Sequence, residues 1–251
     1  MGLPGRPREL RPGRIRVSCS CQASCHQVGR GGESCRLRVY VSVAEAGDHV
    51  ERSAVIFDLD GTLTRPILDF DAMRAEIGGV TGPILEAMAS MSDDARRRAE
   101  GILARHELLA AQRSQLYDGA VDLVDRLRRH GFGVAILTRN SRRCTRLVLA
   151  MHGLKVDALR TREDGAVKPS AEPVLALCRQ LGAAPGRSWM VGDYHFDILS
   201  GAAAGTRTIL MIGEAEAPAF AVEADFVVRR LGDVWPIVTD AATNETCMPT
   251  I

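Results

Sequence analysis

Two carboxylates stand two residues apart in the stretch "VIFDLDGTLT", residues 55–64, where an apolar run gives way to Asp58 and Asp60. In an extended segment such residues face the same way while the one between them, Leu59, points into the packing. A pair held like this suits a nucleophile and its proton carrier. Two more acids, Asp193 and Asp197, arrive in "MVGDYHFD", spaced by one helical turn at the end of another apolar run. Carboxylates crowded together raise one another's pKa unless a cation sits among them. Lys168 in "AVKPS" is the candidate: of 32 lysine and arginine residues only Lys155 and Lys168 are lysine. In a chain so committed to arginine, a lysine suggests a compact ammonium that a guanidinium cannot replace. Four acids and one base still leave about minus three, and oxygen-only donors with that deficit point to Mg2+.

These residues need a scaffold, and the chain from residue 53 supplies one. "SAVIFD", "FGVAILT", "DALRTR", "SWMVGD", "TRTILMIG" and "ADFVVR" read as short strands, separated by helical patterns such as "DGAVDLVDRLRRHG", with Asp118 as its cap and Gly131 as its terminator. "SRRCTRLVLAMHG", "SAEPVLALCRQLG" and "FDILSGAAAG" are the other helices. Strand and helix alternate, and the strands are apolar enough to need cover on both faces, so the fold class is α/β, a parallel sheet sandwiched by helices. One segment interrupts the alternation. More than fifty residues separate the first strand from the helix near residue 119, and within them "SDDARRRAEGILARHELLAAQ" carries Ala99, Ile102, Leu103, Leu109 and Ala110 toward one face. Ligands bind outside the carboxyl ends of parallel strands, so a lid leaving the end of strand one covers that site.

The motifs resemble those of the haloacid dehalogenase (HAD) superfamily of phosphohydrolases: "DLDGT", Thr138 in "ILTRN", Lys168 in "VKPS" and "GDYHFD", in that order. The resemblance covers about residues 53–230 and implies a Rossmann-like core with a small helical cap after strand one, as in the phosphoglycolate phosphatase branch. Residues 51–64 and 116–235 are expected as the core, 65–115 as the cap and 236–251 as a tail, while residues 1–50, low in aliphatic residues and rich in Gly, Pro and Arg, are expected as a disordered leader. By the same resemblance Asp58 is the nucleophile and Asp60 the acid/base, with Mg2+ on the Asp58 carboxylate, the Asp60 carbonyl and Asp193. Thr138 and Lys168 hold the phosphoryl group, and Asp197 orients the metal shell or Lys168. Arg139, Tyr194 and His195 flank the motifs as candidates for substrate contact, Arg139 for its phosphate. The implied activity is Mg2+-dependent hydrolysis of a small phosphorylated metabolite through an aspartyl phosphate. A phosphosugar mutase or pyrophosphatase of the same fold, and a non-catalytic phospholigand-binding regulator, are the alternatives.

Composition narrows the partners. A formal charge of +1 and a pI near 7.6 argue against nucleic acid or an anionic membrane as the main partner. No apolar run approaches the ~20 residues that span a bilayer, so a cytoplasmic protein is expected. Cys19, Cys21, Cys25 and Cys35 lie in an Arg/Gly/Pro-rich leader and lack the paired C-x2-C knuckles of common zinc sites. His106 and the basic clusters at 96–98 and 128–129 read as solvated helix faces.

Overall fold

The strand β1, Ala54–Phe57, is buried along its whole length, and its side chains divide by the period of two that extended backbone imposes. Ala54 and Ile56 join one apolar layer, Val55 and Phe57 the other. The computed structural model describes residues 52–245, with side chains as far as residue 240. Five further strands follow: β2 (Gly133–Leu137), β3 (Ala158–Arg160), β4 (Trp189–Gly192), β5 (Arg207–Met211) and β6 (Phe226–Val228). They form one parallel sheet in the order β3-β2-β1-β4-β5-β6. The chain therefore reverses its direction of winding between β1 and β4, and the carboxyl ends of these neighbours flank a crevice.

Helices cover both faces. The layer containing Val55 and Phe57 is closed by α4 (Ala120–Arg129), α5 (Arg142–His152) and α8 (Val234–Glu245), through Val124, Leu127, Val148 and Val238. On the opposite face lie α6 (Glu172–Leu181), through Val174 and Leu177, and α7 (His195–Ala203), which runs along β4 and β5. Ser141 caps α5 by accepting from Cys144 N, and Gly153 ends that helix in the left-handed region.

Between β1 and α4 the chain builds a cap of three helices, α1 (Phe70–Ile77), α2 (Ile84–Ala89) and α3 (Asp93–Gln112). It has its own small core of Met73, Val80, Ile84, Met88, Ala99 and Leu103. Its two chain crossings are tied together: Arg65 N donates to Gln115 O at 2.7 Å and Tyr117 N to Leu63 O at 3.0 Å.

Three local expectations are corrected. Asp118 does not cap α4; Gly119 holds that position in a left-handed conformation, and Asp118 is fully exposed, 3.8 Å from Arg65. Leu109 is exposed, because α3 turns Glu107 inward instead, toward an arginine of the core. The expected tail does not begin at residue 236: Pro236 is the third residue of α8, where a missing N–H costs no helical hydrogen bond, and Val238 behind it is buried in the core. The leader and its cysteines lie outside the described residues. Among the described residues no helix is long and apolar enough to cross a membrane.

Candidate active site

Asp58 is the first residue past β1, and its N–H donates to Val191 O at 2.8 Å, carrying the β1–β4 pairing one step beyond the strand. That register sets the end of β4, and Asp193 just after it, against the Asp58–Asp60 turn. Leu59 O accepts from Leu63 N, Thr64 N and Thr64 Oγ1, so the turn is wound onto a single carbonyl. Gly61 sits at φ +91°, and a Cβ there would lie 2.2 Å from Asp193 Oδ2. No side chain fits between the two loops. The Thr62 hydroxyl reaches across the same gap and donates to Asp193 Oδ1 at 3.0 Å.

The Lys168 side chain is 3% exposed, with Nζ 2.8 Å from Asp58 Oδ1 and 2.6 Å from Asp197 Oδ1. The other Asp197 oxygen accepts from Tyr194 N at 3.0 Å, so both oxygens of that buried carboxylate are engaged. Burial alone would discharge the ammonium, but Asp197 and Asp58 outweigh it and raise its pKa. One ammonium does not neutralise the cluster. Burial pushes Asp58 well above the usual carboxylate range, Lys168 opposing and Asp197, Asp193 and Asp60 adding to the rise. Burial, then Asp197, push Asp193 up to about 7 against the pull of Lys168 and Thr62.

Asp60 stands apart from this cluster. Its Oδ2 accepts from Asn140 Nδ2 at 3.0 Å, and its carboxyl is raised by burial although Asn140, Lys168 and Thr138 favour the ionised form. Asn140 is itself fixed, accepting from Ser141 N and donating its own N–H to Thr138 Oγ1.

The donor set fits a divalent cation. Asp58, Asp193 and Asp197 each offer an oxygen, all within 4.8 Å of one another. Asp58 Oδ1 is buried and takes no hydrogen bond, Lys168 lying off the angle that one needs. One ammonium among these acids leaves a net negative charge on oxygen donors, which a hard cation would offset.

Arg139, expected at the phosphate, is drawn toward the cap. It donates to Glu86 Oε2 on α2 at 2.6 Å and to Lys168 O at 2.7 Å, with its guanidinium over the Phe196 ring. A second clasp joins cap and core: Arg162 grips the buried Glu107 of α3 with both terminal nitrogens. Tyr194 lines the cavity above the acids; His195 does not, and instead pairs with Glu223 and stacks on Phe220. His106 pairs with Glu76 within the cap. The sequence reading missed Asn140, Glu107, Arg162 and Phe196. Only Asn140 left a signal, two residues beyond Thr138 in "ILTRN".

Residues 53–205 match the family model of the haloacid dehalogenase-like hydrolases. The chain belongs to that family. The HAD-like chain is 29% identical to a protein named pyrophosphatase PpaX from Bacillus cereus over 210 residues, 75% of this chain and 97% of that one. Two solved structures share its fold. A hydrolase from Pseudomonas syringae gives a TM-score of 0.64 at 18% identity, covering 75% of this chain and 99% of its own. A Haemophilus somnus protein, titled a predicted phosphoglycolate phosphatase, gives 0.59 at 17% identity, covering 74% and 98%.

Proposed function

We propose that this hydrolase is a phosphatase acting on a small phosphorylated metabolite, with Asp58 as nucleophile, Asp60 as acid/base and Mg2+ as cofactor. The observation that carries this reading is the division between the two carboxylates. Asp58 faces the Lys168 ammonium beside Asp193 and Asp197; Asp60, two residues on, is turned away onto the neutral amide of Asn140, while burial raises the pKa of both. A carboxylate set among charged groups at the sheet edge and a second one held on an amide beside it suit a nucleophile and a proton carrier.

In the first step an Asp58 oxygen bonds to phosphorus as the bond to the leaving oxygen breaks, and protonated Asp60 gives its proton to that oxygen. Water then attacks the aspartyl phosphate and passes a proton to Asp60; phosphate leaves and the Asp58 carboxylate is restored. Lys168 holds Asp58 in place and meets charge on the transferring group, as do the Thr138 hydroxyl and nearby backbone N–H groups. Asp58, Asp193 and the Asp60 carbonyl would hold Mg2+, which when bound offsets the crowded carboxylates and draws charge from the phosphoryl oxygens. Asp197, with both oxygens engaged, positions Lys168 and the turn after β4.

Phosphate release from a panel of monoesters and pyrophosphate, the latter prompted by the name of the Bacillus relatives, tests the reading. Turnover should vanish in EDTA and return with Mg2+. Activity that survives exhaustive chelation would refute the cofactor; no phosphate from any compound would refute the phosphatase.

A further inference from the structure

The acids form one corner of a cavity of about 580 Å³, far larger than a phosphoryl group requires. Leu68, Phe70, Met73, Ile84, Leu85 and Leu103 of the cap line it, and Phe196 of the core faces them. Phe70, on this wall, is 51% exposed, apolar surface that a bound apolar group would cover.

Apart from the Tyr194 hydroxyl, the polar side chains that the cap and its neighbours bring to these walls are already engaged. Arg74 pairs with Asp71, Arg139 with Glu86, Glu107 with Arg162, and Asn140 with Asp60. Each cationic side chain on the lining, Lys168 included, therefore faces a carboxylate. A sugar would bring several hydroxyls into a space with few free partners, at the cost of leaving them unsatisfied. A pyrophosphate would bring a second charged group that could reach Arg74 or Arg139 only by displacing Asp71 or Glu86.

From this lining we infer that the preferred substrate is a phosphate monoester whose leaving group is apolar, uncharged and poor in hydroxyls, seated on Phe70, Leu103 and Phe196. The inference rests on the phosphatase reading and narrows it.

A series of n-alkyl phosphates from ethyl to hexyl tests it, because these alcohols differ little in acidity and so hold the chemistry constant. With the full chain and Mg2+, kcat/KM should rise about threefold to fourfold per methylene, the gain for burying each one. Hexose 6-phosphate and pyrophosphate in the same assay should fall at least ~10-fold below hexyl phosphate, lacking that burial. Phe70→Ser should lower the hexyl-to-ethyl ratio at least ~3-fold, since one wall of the seat is gone. The ratio is insensitive to how much of the variant folds. A flat series, an unchanged ratio in the variant, or pyrophosphate or hexose phosphate outrunning hexyl phosphate would overturn the inference while leaving the phosphatase reading intact. No phosphate from any of these compounds would instead refute that reading, and this inference with it.

Discussion

The Lys168 ammonium lies 2.8 Å from the Asp58 carboxylate inside the protein, yet leaves the nearer oxygen without a hydrogen bond. Its aligned bond goes to Asp197 instead, at 2.6 Å. The lysine is thus anchored by one acid and presented to another, where it opposes the rise in the Asp58 pKa that burial and the neighbouring acids impose.

That arrangement depends on a compact cation. Lys168→Arg puts a broad, forked group between Asp58 and Asp197, and turnover should fall at least ~10-fold. A near-normal rate for the purified variant would make Lys168 a structural residue.

Metal and pH should act on stability in opposite senses. Asp193, pushed up to about 7, holds a proton in the folded metal-free protein at pH values where the unfolded chain has released it. The stability this contributes is complete below the unfolded carboxylate value of ~4 and is lost as pH rises through about 7. A cation takes the place of the proton, so the gain in Tm on replacing EDTA by Mg2+ should be larger at about pH 8 than at about pH 5. Equal gains at the two pH values would place the metal elsewhere.

The buried pair between cap and core gives a third expectation. Arg162→Ala strands the Glu107 carboxylate, 3% exposed, without its cation, and should cost about 3–5 kcal/mol in denaturant unfolding. Replacing both residues by methionine should recover most of that loss. A cost under ~1 kcal/mol for the single change would mean that water already reaches the pair.

How much of this was legible in the sequence follows from the range of the interactions. The strands announced themselves because a sheet covered on both faces demands unbroken apolar runs, and the motif acids because they sit at the ends of those runs. Helices α1 and α2 were missed since eight and six residues between glycines and Pro83 give little periodicity to read. Helix α8 was not anticipated, residues from 236 on being expected as a tail, although Pro236 falls in a first turn that tolerates it. Asn140 and Arg162 act through partners 80 and 55 residues away, Asp60 and Glu107, and no local pattern reports such pairings. Arg139 was expected at the phosphate by its place beside Thr138; it lines the same cavity, and its bond to Glu86 of the cap, 53 residues away, is another pairing that no local pattern reports.

The central claim is that the phosphoryl group passes through Asp58 with Asp60 carrying the proton. Asp60→Asn keeps shape but removes proton transfer, worth typically ~10² to 10⁴ in rate. With p-nitrophenyl phosphate the leaving group departs without a proton, so the second step should suffer more and phosphoenzyme should accumulate. Intact mass after rapid acid quench should then show one added phosphoryl group, mapping to Asp58, and none in Asp58→Asn. An adduct on Asp60, or one that persists in the Asp58 variant, would contradict the account.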